Sequence, residues 1–392
     1  MQNRIQLLQR NMQKSGIDLA IIMQPRDLYY FAGTAQPCNL VIPVHGDPLL
    51  LVRRAWDFVC RETWLPRTQL RMGEGLQQIK QLVSELPFSV RTIGLTFDAI
   101  PASLYKKVQT CFSQCNTVNI TPLLLKQRAI KDEAERGAVK KAAVLYGVVH
   151  HTIMASLRAG LKEIDLAALI LKSLREHGAD TIIRNRRWDA SLSPDGIVTS
   201  SANLWKISGH AMTVTGVGLS PALAWGASNT TISNGDLVVV DIGINLHGYH
   251  ADIARTYCVG NADARQKEIM KMVQAIQNAA LANVKPGVQA GQVYEFAWEK
   301  AKELKVEQYF QGYGDMRGSY VGHGIGLELD EPPTLQLADK TELLEGMSLA
   351  VEPKLIIPEW GAVVLEDDVL ITADGYEMLC TVPRQLFEVC VN

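Results

Sequence analysis

Two short stretches of this chain end in a carboxylate at the same distance from a glycine: Gly235-Asp-Leu-Val-Val-Val-Asp241 and Gly346-Met-Ser-Leu-Ala-Val-Glu352. Each is apolar and β-branched enough to be a strand, and each is followed by a second strand candidate that carries another acid, Asp252 or Glu366. Residues 237–244 and 249–257 flank the turn-prone Asn245-Leu246-His247-Gly248 and read as a hairpin. A turn centred between Leu246 and His247 sets Asp241 directly opposite Asp252 on one face, with Cβ atoms about 5 Å apart. Residues 348–356 and 362–372 flank Pro358-Glu359-Trp360, and a loop centred on Glu359 opposes Glu352 to Glu366. Pro353 lacks an N–H and predicts a bulge in that second ladder. Carboxylates that face each other among apolar residues repel unless a cation lies between them. The four acids call for about two divalent ions by charge alone. His323, in Gly322-His323-Gly324-Ile325-Gly326, is a fifth candidate ligand, and its glycines let the backbone pass close to a crowded site. One imidazole among carboxylates suits manganese, iron, cobalt or zinc. Such a paired-metal site makes a bridging hydroxide near neutral pH and polarises a carbonyl. A nearby carboxylate can then carry the proton to the leaving nitrogen. The chemistry expected is metal-dependent hydrolysis.

The elements around these acids form an internal repeat. Arg158-Ala-Gly160 opens an amphipathic helix running to His177, and Lys285-Pro-Gly287 opens a similar one running to Leu304. Each helix precedes one acid-bearing strand pair. The first third alternates instead between helices and strands: helices over 4–15, 76–85 and 103–111, and strands over 18–23, 28–31, 40–44, 48–52 and 92–96. Pro43 should place its strand at a sheet edge or end it. A charged helical stretch over 126–141, continuing towards His151, follows. The expectation is two domains, 1–127 and 128–392, the first α/β and the second α+β.

Composition excludes some partners. With 392 residues, 47% hydrophobic, 20% charged and a formal net charge of −2, the chain has no basic excess to hold nucleic acid or an anionic membrane. No apolar run approaches the roughly 18–20 residues of a membrane span, and the first ten residues lack a signal-peptide pattern. A cytoplasmic location is expected. The seven cysteines are scattered and odd in number, so they read as reduced and structural.

Asp241-Ile-Gly, Gly248-Tyr-His-Ala-Asp252-Ile-Ala-Arg255-Thr, Gly322-His-Gly-Ile-Gly-Leu, Ala350-Val-Glu352-Pro and Leu365-Glu366-Asp-Asp-Val together resemble the signature blocks of the pita-bread metallopeptidases. That group includes prolidase, aminopeptidase P and methionine aminopeptidase. The first third is similar to the N-terminal domain of prolidases and creatinase in Gly16-Ile-Asp-Leu-Ala-Ile-Ile and Leu28-Tyr-Tyr-Phe-Ala-Gly33. The resemblance implies a pita-bread C-terminal domain with a pseudo-twofold repeat, a curved antiparallel sheet and a homodimer. It also implies that Asp241 holds one metal, that Asp252 and Glu366 bridge both, and that His323 with Glu352 holds the other. Glu352 is then the proton shuttle. Departures lie on the substrate side. Trp225 stands where the family has a histidine before the first metal strand. Asp330 stands where a second histidine follows His323 by seven positions, and Val364 where prolidases tend to carry arginine. His250, two residues before Asp252, and His210, in Ser208-Gly209-His210, are further pocket candidates.

The function expected is a dinuclear hydrolase cleaving small Xaa-Pro-like peptides. The alternative is the same site acting, as hydrolase or lyase, on a non-peptide C–N bond or a small zwitterionic metabolite. A silent binding scaffold is disfavoured by the intact ligand set.

Overall fold

The structure is a computed structural model that describes residues 2–390 apart from positions 74, 181, 188–192, 194 and 209–213. It divides into two compact units, Met1–Arg128 and Ala129–Asn392.

In the first unit β1 (Leu19–Ile22), β2 (Cys38–Pro43), β3 (Leu49–Val52), β4 (Leu70–Met72), β5 (Thr92–Leu95) and β6 (Asn116–Asn119) form one sheet in the order β4-β3-β2-β1-β5-β6. Leu19, Ile21, Val41, Leu51, Ile93 and Leu95 make its core with Ile79 of helix Leu76–Ser84 and Val108 of helix Ala102–Cys111. β2 lies inside the sheet, and Pro43 is its last residue, so the missing N–H falls where the strand stops. The expected strand over 28–31 is instead part of helix Pro25–Ala32. The flanks decide it: the Gln24 side chain accepts from the Asp27 N–H, Pro25 opens the first turn, and Gly33 closes the helix in the left-handed region at φ 78°.

The second unit holds β7 (Ile197–Ser200), β8 (Leu237–Leu246), β9 (Tyr249–Val259), β10 (Tyr320–Gly324), β11 (Glu331–Gln336), β12 (Ser348–Val351), β13 (Lys354–Ile357), β14 (Gly361–Val364), β15 (Asp367–Ile371), β16 (Tyr376–Met378) and β17 (Phe387–Val389). These form sheets β17-β9-β8-β7, β11-β10-β12-β15-β16 and β13-β14. Helices Ala264–Leu281 and Ala290–Glu303 pack on them through Val273, Ile276, Val293 and Ala297, against Val239, Leu349, Val351 and Leu365.

The internal repeat is visible bond by bond. Gly160 donates to Ile232 O and Ile232 donates back to Leu161 O, each at 2.8 Å. Gly287 donates to Leu343 O at 3.0 Å and Leu343 donates back to Val288 O at 2.8 Å. Three residues later Gly235 donates to Val259 O and Gly346 to Ile371 O, both glycines lying near φ +90°. Each acid-bearing strand therefore enters its sheet from the same pinned turn.

The charged stretch after residue 126 is not one helix but the end of Thr121–Ala129, then Glu133–Val144 and Tyr146–Ser156. Lys131 leaves helical geometry to donate to Gly346 O at 2.9 Å, and Asp132 restarts the helix in a reciprocal cap with Glu135.

Candidate metal centre

The first hairpin differs from expectation in register. Its turn is the two-residue His247-Gly248, both residues in the left-handed region at φ 52° and 88°, so Leu246 pairs with Tyr249. That moves the ladder by two positions: Asp241 pairs with Ala254 and Asp252 with Gly243. The acids are diagonal neighbours on one face rather than directly opposed, because a shift of two preserves the side-chain parity.

The second hairpin keeps the expected register but not the expected bulge. Val351 pairs with Asp367 and Lys354 with Val364, the same offset on both sides of Pro353, which sets Glu352 across from Glu366. Their own N–H groups leave that ladder. Glu352 donates to Val321 O of β10 at 2.9 Å, and Glu366 donates to Ala254 O of β9 at 3.1 Å. A ladder bond persists at the proline itself, from the Leu365 N–H to Pro353 O at 3.3 Å, so Glu352 and Glu366 form the intervening pair whose N–H groups point outward to the neighbouring strands.

His323 comes from β10, which lies between β11 and β12. A Cβ on Gly322 would run into the Ala350 carbonyl, and one on Gly324 would come within 2.5 Å of Pro332 O, so both glycines are needed for this close approach. His323 Nδ1 lies 3.0 Å from Gly324 O and must donate to it, which leaves Nε2 as the ring nitrogen turned to the acids. Nε2 lies 3.2 Å from Asp330 Oδ1 and 3.7 Å from both Asp252 Oδ2 and Glu352 Oε1. Asp252, His323 and Glu366 are buried and bring ligand atoms within 4.8 Å of one another.

Burial pushes the Asp252 carboxyl well above its ordinary value, and Asp241, Asp368, Glu352 and Asp330 push it further. Burial likewise raises Glu366, with Asp252, Asp241 and Glu352 adding to it. The Asp241 carboxyl is pushed up to about 6 by burial, against the pull of Lys354. Burial alone would lower the His323 imidazole, but Asp330 and Glu352 outweigh it and raise it. The upward shifts have the cause expected of carboxyls crowded in a buried site, and a divalent cation among them favours their ionised forms. Glu366 Oε2 has no hydrogen-bond partner among the described residues, so its lone pairs are open to an ion. Carboxylate oxygens with one imidazole nitrogen suit a borderline divalent metal and fit such an ion well.

Three residues beside the candidate ligands have positions to which the sequence alone assigns no role. Asp368 accepts the Asp252 N–H at 2.9 Å and so sets the backbone of one acid. Arg255, fully buried, donates to Glu366 O and Asp367 Oδ1, both at 2.6 Å, and to Val382 O at 2.8 Å. Lys354, also fully buried, places Nζ 2.5 Å from Glu352 Oε2. Its position two residues after Glu352 puts it on the same strand face, and that spacing was the available signal.

Residues 137–373 match metallopeptidase family M24, and residues 4–130 match the creatinase/prolidase N-terminal domain. The chain belongs to metallopeptidase family M24. A probable dipeptidase PepE of Mycobacterium bovis is 30% identical over 96% of this chain and 94% of its own length. An Xaa-Pro dipeptidase of Pyrococcus furiosus is 28% identical over 98% of this chain and 100% of its own. The crystal structure of an X-Pro aminopeptidase from Thermotoga maritima superposes with a TM-score of 0.80 at 25% identity, covering 98% of this chain and 99% of that one. The M24 chain is therefore a metal-dependent, prolidase-like hydrolase with the pita-bread fold.

The remaining candidate residues are less uniform. Asp330, half-exposed, accepts from Asn185 Nδ2 at 2.6 Å while facing His323. Trp225 is half-buried on the loop between Gly218 and Gly226. His250 is buried, with Nε2 accepting from the Arg184 N–H at 3.1 Å and Nδ1 donating to Gly326 O at 3.0 Å. Those bonds make it a clamp between β9 and two loops, which accounts for its burial without a substrate. His210 lies outside the described residues. Val364 pairs directly with Lys354, so the cation missing at 364 is present across the ladder.

Proposed function

We propose that this M24 chain hydrolyses small peptides of the Xaa-Pro type, with divalent ions held by Asp241, Asp252, His323, Glu352 and Glu366. The observation that supports this most is the convergence of buried Asp252, His323 and Glu366 on one point, with Glu352 Oε1 beside His323 Nε2. When bound, such ions polarise a carbonyl and lower the pKa of water. Manganese, cobalt, zinc and iron all suit the donor set, and the five ligands offer places for up to two ions.

The chain's own groups do the rest. Gly324 O fixes the His323 ring through Nδ1, so Nε2 needs no reorientation. Asp368 and Arg255 hold β9 against β15, keeping Asp252 and Glu366 at a fixed separation. Glu352 has one oxygen anchored by Lys354 and the other turned to His323. That free Oε1 is the atom placed to take a proton from attacking water and deliver it to the leaving nitrogen. The small-peptide substrate rests on the named relatives, and a homodimer rests on the two-domain prolidase resemblance.

A second reading is favoured by Asp330, whose carboxylate faces His323 where the resemblance predicts an imidazole. A negative group there suits a substrate carrying a cationic nitrogen, as in a guanidino or zwitterionic amide. The test is a panel of Xaa-Pro dipeptides, tripeptides and cyclic or guanidino amides, assayed on chelated protein reloaded with manganese, cobalt, zinc or iron. Hydrolysis of an Xaa-Pro dipeptide that chelation abolishes is expected. Turnover of another amide, with every Xaa-Pro peptide left intact, replaces the peptidase reading with the second one.

A further inference from the structure

The buried ammonium of Lys354 has no part in an ordinary account of this site, because a ligand cluster built for cations should repel one. Its position is nonetheless well determined. Lys354 begins β13 immediately after the Pro353 break, with its backbone pinned on both sides by Gln311: the Lys354 N–H donates to Gln311 Oε1 at 2.9 Å, and the Gln311 N–H donates to Lys354 O at 3.0 Å. The side chain shares the face of Glu352 and Glu366, and the side chains of Lys354 and Glu352 are both buried where their charges meet at 2.5 Å. Asp241 and Glu366 are the next strongest attractions on the ammonium.

The two sides of the cluster are therefore unequal. Around His323 Nε2 lie Asp252 Oδ2, Glu352 Oε1 and Asp330 Oδ1, all acids, with Glu366 close by. On the other side Glu352 Oε2 already meets a positive charge that is covalently attached and desolvated, and that charge also attracts Asp241. A divalent ion arriving there must share those oxygens with Lys354 or push it away, and at short range in a dry site that repulsion is large.

We infer that Lys354 is a built-in counter-charge that replaces the second metal: the site binds one divalent ion tightly on the His323 side and a second, beside Asp241, at least about 100-fold more weakly. The inference rests on the proposed ligand set and narrows it from two equivalent ions to one ion and one ammonium. The mechanism keeps its parts, because Glu352 Oε1 and Asp252 remain with the tight ion while Lys354 holds the rest of the acid cluster ionised.

The experiment counts ions rather than turnover. Full-length protein is stripped with chelator, dialysed against graded free Mn²⁺ and analysed for bound metal, with electron paramagnetic resonance to distinguish a lone ion from a spin-coupled pair. Wild type is expected to hold one tight Mn²⁺ per chain with the signal of an isolated ion. Lys354→Met and Lys354→Gln, neutral variants chosen so that one folded example suffices, should hold two within about tenfold of each other and show coupling. Lys354→Arg, which keeps the charge, should stay at one. Two tight ions in wild type overturn the inference whatever the variants do, while leaving the ligand assignment intact. A folded neutral variant that still binds only one ion also overturns it. If neither wild type nor any folded variant binds Mn²⁺ tightly, the ligand assignment itself fails and the inference falls with it.

Discussion

The two acid-bearing hairpins are entered through the same pattern of backbone bonds yet hold their carboxylates in different ways. β8 and β9 form an unbroken ladder from Leu237–Cys258 to Leu246–Tyr249, and Asp241 and Asp252 are side chains on a finished surface. In the other hairpin, β12 and β13 are parted by Glu352-Pro353, and β14 and β15 by Leu365-Glu366. There the backbone of each glutamate bonds to a third strand, β10 or β9. The continuous hairpin supplies rigidity, and the broken one supplies connection. Pro353 removes only its own donor, and Leu365 O across from it is met by Gln277 Nε2 at 3.4 Å, while the outward N–H groups of Glu352 and Glu366 tie this hairpin to β10 and β9, the strands that carry His323 and Asp252.

If that division is right, the largest loss should follow from cutting the tie between the hairpins. Arg255 on β9 reaches the Glu366 carbonyl, the Asp367 carboxylate and Val382 O, all buried. Arg255→Leu removes the ion-pair partner of buried Asp367 and leaves it the hydrogen bond from Gln277 Nε2 at 3.0 Å. Removing one partner of a buried pair costs about 3–5 kcal/mol. Denaturant unfolding of the metal-free protein should show a loss of that size, and a loss below about 1 kcal/mol, the scale of a surface pair, would mean that the hairpins are not joined through this residue.

The next effect separates the acids by hairpin. Glu366, at the break, has an unpartnered oxygen and converges with His323 and Asp252. Asp241 is half-buried, and the Lys354 charge favours its ionised form. Glu366→Gln should lower tight Mn²⁺ affinity by more than the roughly 10–100-fold lost when only a supporting partner is removed. Asp241→Asn should keep the tight ion within about tenfold, since it acts on the side that Lys354 already neutralises. Equal losses in the two variants, measured by the same metal titration, would break the distinction.

How far the sequence leads follows from the same contrast. The second hairpin's register is legible because Pro358-Glu359-Trp360 leaves one way to centre the loop, and the pairing Lys354–Val364 matches it. The first is legible only in parity. Asn245-Leu246-His247-Gly248 offers several turn-prone residues, and nothing local says that His247 itself enters the left-handed region at φ 52°. A two-position slip leaves both aspartates on one face, so placing Asp241 and Asp252 on a shared face does not depend on the exact pairing. Lys354 shows the opposite limit. A lysine in a strand ordinarily points its charge to solvent, and only the three-dimensional crowd of Glu352, Asp241 and Glu366 gives this one a reason to be buried. The helix at 25–32 was hidden because four apolar residues in a row suit either state, and its caps lie outside the run.

The smallest effect belongs to the turn that sets the first register. Gly248 sits at φ 88°, and its N–H donates to Asn245 Oδ1 at 3.0 Å, which closes the tip of the hairpin. Gly248→Ala forces a Cβ into left-handed backbone and should cost about 1–2 kcal/mol. Because β8 and β9 are paired along their whole length, the strain should stay at the tip: unfolding shifts while Mn²⁺ affinity stays within about twofold. Glu359, at φ 61° in the loop of the broken hairpin, gives the converse case. Glu359→Gly relieves that strain and should leave stability level or raise it by about 0.5 kcal/mol. Should Gly248→Ala weaken the metal as much as it weakens the fold, the continuous hairpin would be transmitting strain from its tip to Asp252, and rigidity would no longer be what it contributes.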